Sequence, residues 1–231
     1  MKKYAALLLL AVLVLLHTAC ASSAHVKIAD TDYVDLTIAL RPSGVLENTV
    51  KKIAAGSGQA SIFQEKEIRK SFESQHIIVQ SLQLTGVCGL KLSCSVPRNH
   101  RLLKRLVYHE PAKKTVALQV SPHTVQELLA LIPEENRDFV DILMAPVVTG
   151  EKISVEEYRE TISTIYGPKM AAGLDQSVFT ILVESPYRVQ TCSVKPIGKI
   201  TEQAQFGVTV GIPLIDLLCM TDTLTIDVQG R

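Results

Sequence analysis

Hydrophobic residues alternate with polar ones through Val34, Leu36, Ile38 and Leu40, the period of a strand with one buried face. Pro42-Ser43-Gly44 ends that run, and Val45 to Ala55 reads as a helix stopped by Gly56. Gly56-Ser57-Gly58 reads as a linker, and a second helix from about Ser61 to Phe72 presents Ile62, Phe63, Ile68 and Phe72 on one side. Strands are expected at Ile77–Leu84 and Cys88–Val96, turning at Thr85-Gly86.

A similar order returns further along. Val116, Leu118 and Val120 alternate as a strand, and Ser121-Pro122 opens a helix carrying Val125, Leu128, Leu129 and Ile132 on one face. A helix is expected at about Glu134 to Ala145. Another starts at Ser154, with Glu157 three residues on as a capping box, and runs to Tyr166. A short helical piece follows at Pro168–Leu174. Four strands close the chain: Val178–Glu184, Arg188–Val194, Gln205–Gly211 and Thr223–Val228. The first of these is apolar on both faces, as a central strand requires.

These elements predict an α+β fold, a mixed or mainly antiparallel sheet with helices packed on one face. Pro42, Val45 and Glu47 recur 80 residues later as Pro122, Val125 and Glu127, and Cys94-Ser95-Val96 recurs as Cys192-Ser193-Val194. An internal duplication, with halves at 33–97 and 115–231, would leave such traces.

The start of the chain follows a different pattern. After Lys2 and Lys3, residues Ala5 to Leu16 are unbroken apolar sequence, and Thr18, Ala19, Cys20, Ala21 and Ser22 are small. Twelve residues make a helix of roughly 18 Å, short of the ~30 Å hydrocarbon core of a bilayer, so the run suits an export signal. Thr18-Ala19-Cys20 resembles the end of the lipobox of bacterial lipoproteins, with His17 where that family usually has Leu. The resemblance covers residues 1–20 only. It implies diacylglycerol on the Cys20 sulfur, cleavage before Cys20, and a chain lipid-anchored to a bacterial membrane with its domain in the periplasm or on the cell surface. Ala21 after the cysteine implies the outer membrane. Ala19-Cys20-Ala21 is also A-x-A, so ordinary signal cleavage after Ala21, or after Ala24, stays open. The expected layout is a signal peptide at 1–19, a lipidated tether at 20–32 and a single α+β domain at 33–231.

Cleavage removes two lysines and leaves 22 basic residues against 23 acidic, which gives no general pull on nucleic acid. Trp is absent and aromatics are 5%, which argues against a sugar receptor built on flat rings. Beside Cys20 there are four cysteines, Cys88, Cys94, Cys192 and Cys219, which an oxidising compartment could join in up to two disulfides. Proximity favours Cys88–Cys94 with Cys192–Cys219; four buried free thiols are the other reading.

No zinc-protease, serine-hydrolase or P-loop signature is present, and no cofactor, metal or catalytic residue is expected. His109 and Glu110 are adjacent and would face opposite ways on a strand. Residues 98–114 concentrate six basic residues against Glu110 alone. Arg98, Arg101, Lys104 and Arg105 are candidate contacts for lipid headgroups or a partner protein, or else form a solvated connector. Phe139 to Val148, with Val155, Tyr158, Ile162 and Ile165, could line a lipid groove or form core. The leading expectation is a non-enzymatic envelope lipoprotein that binds a partner protein or supports the envelope. A lipid-binding or membrane-perturbing protein using apolar helices in 123–166 is the alternative, and an enzyme with an unfamiliar site is the third.

Overall fold

The computed structural model describes residues 22–42, 44–57, 61, 63–129 and 145–231, and its first strand lies inside a sheet. Strands β1 (Ser23–Ile28) and β2 (Tyr33–Leu40) form a hairpin, followed by helices α1 (Gly44–Ser57) and α2 (Glu65–Ser74) and the hairpin β3 (Ile78–Thr85) and β4 (Gly89–Pro97). Helix α3 (Arg101–Leu106) leads into the hairpin β5 (Val107–Glu110) and β6 (Thr115–Val120). Then come α4 (Pro122–Leu129), α5 (Ala145–Thr149), α6 (Val155–Tyr166) and α7 (Pro168–Asp175). Strands β7 (Val178–Glu184), β8 (Val189–Lys195), β9 (Lys199–Gln203) and β10 (Gly207–Pro213), helix α8 (Leu214–Leu218) and strand β11 (Leu224–Gly230) complete the chain.

The fold is α+β and mainly antiparallel, with the strands divided between two sheets. The first has the order β3-β4-β2-β1-β7-β10-β9 and the second β5-β6-β11-β8. The β1–β7 pair is parallel and every other pair is antiparallel. Strand β7, apolar on both faces, lies inside the first sheet between β1 and β10, as its composition requires.

The region read as a tether is corrected by β1. This strand is internal, paired with β2 on one side and β7 on the other, and Val26 and Ile28 are buried in the main core. The alternation of buried Val26 and Ile28 with exposed Lys27 is too short to stand out beside Asp30 and Asp32, so its pairing is decided by tertiary contact. Residues 23–28 are therefore a strand of the sheet, and Cys20 lies two residues before Ser22, within about 7 Å of it along an extended chain.

Alternation builds the core between the sheets. Val34 and Leu36 of β2, Ile181 and Val183 of β7, and Val208, Val210 and Ile212 of β10 share one buried cluster with Val116, Leu118, Leu224, Ile226 and Val228 of the second sheet. Helix α2 adds Ile68 and Phe72 beside Leu82 and Leu92. On the other face of β2 and β4, Thr37 and Ser93 lie 3.0 Å apart, and Ser95 donates to Asp35 at 2.5 Å, so that face is polar. A separate cluster holds Tyr158 and Ile162 of α6, Met170 and Leu174 of α7, and Ile215 and Leu218 of α8. Tyr158 and Ile162 of α6 are thus core, Val155 is partly buried against them, and Ile165 is exposed. The helix expected at 134–145 and most of the 139–148 run lie outside the described residues.

The capping box forms as its spacing requires. Glu157 accepts from the Ser154 amide at 2.9 Å, and the Glu157 amide donates to Ser154 Oγ at 3.2 Å. These bonds from Ser154 hold the Glu157 carboxyl below the usual carboxylate range.

The pairing order β1-β2-β4-β3 recurs as β5-β6-β11-β8, antiparallel throughout. The 80-residue offset fits this correspondence, because Pro42 follows β2 as Pro122 follows β6. The second sequence echo does not fit. Cys94 is on β4, whose counterpart is β11, whereas Cys192 is on β8. Strands β7, β9 and β10 belong to the later half and widen the first sheet.

Candidate functional site

Between the sheets, beside the start of β1, is a cavity of about 170 Å³. One wall is Ala24 and Val26 of β1, Leu36 and Ile38 of β2, and Phe179 and Ile181 of β7. Leu118 and Val120 of β6 face them. Leu106 of α3, Val125 and Leu128 of α4, Leu217 of α8 and His25 complete the lining. Each strand contributes by alternation: Ala24, Ile38 and Ile181 share one cross-strand row, and Val26, Leu36 and Phe179, two residues away on their strands, point the same way. Ala24 is the one short side chain in this lining, so it leaves space that a larger residue would fill.

Its chemistry is almost entirely hydrocarbon. A site of this kind sheds water, since a water needs two to four polar partners. It is close in size to an engineered cavity of ~150 Å³ that takes up benzene. His25, the one titratable lining residue, has Nε2 3.2 Å from Glu184 Oε1, where both side chains are about one-third exposed.

The basic segment behaves differently from residue to residue. Arg98 turns inward: it donates through Nε to the Thr31 carbonyl, through Nη2 to the Ala29 carbonyl, and through Nη1 to His109 Nδ1 at 2.8 Å. His109 Nε2 then meets the Tyr187 hydroxyl at 2.8 Å. Because Arg98 can only donate, Nδ1 accepts, and Nε2 carries the proton of a neutral ring. Burial, and then the adjacent guanidinium, hold His109 below the usual imidazole range against the pull of Asp30. The chain of contacts ties the β1–β2 turn to β5 and to the β7–β8 turn, at the far end of β1 from Ser23.

Arg105 pairs with Glu127 of α4 at 3.3 Å and also meets His123. Arg101 and Lys104 are exposed with no ion-pair partner among the described residues, while Leu102, Leu103 and Leu106 are buried on the opposite side of α3. Of the four candidates, Arg98 braces the fold and Arg105 is paired across helices, while Arg101, Lys104 and Arg105 are all exposed on α3. Tyr108 donates to Glu110 at 2.6 Å, so Glu110 faces away from His109, as expected for neighbours on a strand. Among the described residues no three His, Cys, Asp or Glu side chains converge as metal ligands would.

The cysteines correct the disulfide expectation. Cys88, Cys94, Cys192 and Cys219 are free thiols. Five residues of strand separate Gly89 from Cys94, roughly 17 Å at strand rise, and a disulfide needs Cα atoms under about 7 Å apart. Cys192 is on β8 of the second sheet, whereas Cys219 follows α8 and packs against the helical cluster. Burial, and secondarily Asp35, pushes the Cys94 thiol up to about 12; burial and Glu47 push Cys88 up to about 11, with Lys51 opposing. Both are kept as thiols rather than nucleophilic thiolates.

Sequence reasoning missed the cavity because it is assembled from seven elements spread along the chain. The one available signal was Ala24 among larger apolar residues, and it lay in the stretch read as a tether. Comparison with known proteins finds no matching family, no matching characterised sequence and no matching solved structure. No helix among the described residues is long and apolar enough to cross a membrane.

Proposed function

We propose that this chain is an exported bacterial lipoprotein, anchored through acylated Cys20, whose domain takes the end of an acyl chain into the cavity between its sheets. The anchor rests on the lipobox resemblance, which with Ala21 favours the outer membrane. The observation that carries the ligand reading is an almost entirely hydrocarbon lining immediately beside the strand that leaves the anchor: Ala24 is four residues from Cys20, at most about 14 Å of chain. Membrane hydrocarbon is therefore the nearest apolar material to fill it. An empty cavity costs about 24 cal/mol per Å³, so filling 170 Å³ is worth up to about 4 kcal/mol. At about 0.8 kcal/mol per methylene, this matches the last five or so carbons of a chain. No reaction is assigned, and the domain acts by binding.

The test uses the mature chain, residues 20–231 with Cys20→Ser, and a fluorescent fatty acid. Binding is expected, and Ala24→Ile, which fills the space from within, should weaken it at least tenfold while thermal stability holds or rises. Unchanged probe affinity in Ala24→Ile would overturn the reading.

A second reading, a protein partner on the side away from the membrane, is favoured by the exposed aromatics. Tyr33, Tyr108 and Phe206 are each about half exposed and belong to elements at the far end from Ser23. Exposed aromatic rings are the side chains that most often anchor protein interfaces. Alanine at all three positions should abolish capture of such a partner and leave fatty-acid binding unchanged.

A further inference from the structure

Resting on the anchor reading, the placement of charge points to a second role for the Ser23 end of the domain. We infer that this end lies on the membrane and holds anionic lipid headgroups through Arg41, Lys91 and Lys199.

The register places these residues together. Lys91 pairs with Ala39, Ala39 with Ser23, Ser23 with Thr180, Thr180 with Gly211, and Gly211 with Lys199. The six positions lie in one row that ends at Lys199 on edge strand β9 and continues past Lys91 to Gln83 on β3, with Ser23 in the interior. At about 4.8 Å between strands, Lys91 is about 10 Å and Lys199 about 14 Å from Ser23. Arg41 is next to the chain entry itself, since its amide donates to Ser22 Oγ at 3.1 Å. All three side chains are exposed, and none has an ion-pair partner among the described residues.

The carboxylates nearby are mostly engaged. Glu47 pairs with Lys51 at 2.9 Å, and Asp175, just before β7, pairs with Arg159 at 2.9 Å. Asp216 lies in the first turn of α8, and Asp222 lies in the segment before β11. Between the cations, Val178 and Val45 are exposed apolar side chains on the first residues of β7 and α1. Cations around a few exposed apolar groups suit the headgroup layer of a bilayer. The strongest argument is reach. With Cys20 held in the bilayer and Ser22 fixed by hydrogen bonds from Thr180 at 3.0 Å and Arg41, there is no spacer to lift this end away.

An anionic surface attracts each nearby Lys or Arg by about fivefold in partitioning, so three together contribute about a hundredfold. The test is flotation of the Cys20→Ser mature chain, which keeps every described residue, with vesicles of phosphatidylcholine alone or with 30 mol % phosphatidylglycerol. Anchor-independent binding should appear with phosphatidylglycerol and weaken in high salt. It should fall about a hundredfold in Arg41→Gln/Lys91→Gln/Lys199→Gln and stay unchanged in Arg101→Gln/Lys104→Gln. Three results would each overturn the assignment: no phosphatidylglycerol-dependent flotation, a triple variant that floats like its parent, or loss in the Arg101/Lys104 pair instead. The mass of the native N-terminus tests the anchor separately, so failure of one is not mistaken for failure of the other.

Discussion

Replacing Ile28 with alanine distinguishes a strand from a tether at the start of the chain. Ile28 is 1% exposed and packs in the main cluster, opposite Val34 on β2. Truncating a fully buried Ile to Ala costs 2–5 kcal/mol, part from lost transfer energy and part from the void left behind. Taking about 3 kcal/mol, and 2–4 °C per kcal/mol for a domain near 200 residues, Ile28→Ala should lower Tm by about 6–12 °C. Lys27→Ala is the control, because its side chain is half exposed and its 3.9 Å contact with Glu184 is a surface pair. That substitution should change stability by no more than about 0.5 kcal/mol. Thermal unfolding followed by circular dichroism measures both. A shift under about 1 °C for Ile28→Ala would return residues 21–32 to a tether and remove the reason to place the domain against the bilayer.

Two further outcomes follow from the titratable groups. Arg98 needs a neutral His109, and the folded ring titrates below its unfolded value of about 6.5. The folded state therefore binds fewer protons, and the contribution is fully present above about pH 6.5 and lost as pH falls through the depressed folded value. Urea unfolding from pH 7.5 to 5 should show less pH dependence in His109→Gln; an identical slope contradicts the network. Beside Cys20, a thiol reagent should count four free thiols in denaturant with no prior reduction, and Cys88 and Cys94 should stay unlabelled in the native state. A mass gain of two hydrogens on reduction would instead mean a disulfide.

Much of the fold is legible because its period is simple. Leu224, Ile226 and Val228 alternate with polar residues and are fully buried, and the Ser154–Glu157 spacing gives the capping box it specifies. The missed elements lack that pattern. Strand β9 is an edge strand exposed at every position, so its Lys199-Ile200-Thr201-Glu202-Gln203 carries no buried face to detect. Helix α8 is five residues long, less than two turns. Strand β1 has two buried residues and owes its place to neighbours 6 to 16 residues away on β2 and 157 residues away on β7. Charge counting marked residues 98–114 as a unit, but Arg98 turns inward to brace the fold and Arg105 is an exposed side chain paired with Glu127. The row running from Lys91 to Lys199 is visible only once register is known, because its six members come from six strands. Pairing of cysteines failed for a related reason: nearness along an extended strand is distance in space.

Methyl-resolved NMR of the Cys20→Ser mature chain, titrated with a nine-carbon fatty acid, asks the central question most directly. Saturable shifts are predicted at the methyl groups of Ala24, Ile38, Val120, Val125 and Leu128, with contacts from the terminal carbons of the ligand to the Phe179 ring. A titration that leaves those methyl groups unmoved, or that moves only exposed residues such as Val178 and Ile165, would contradict an acyl chain in the cavity.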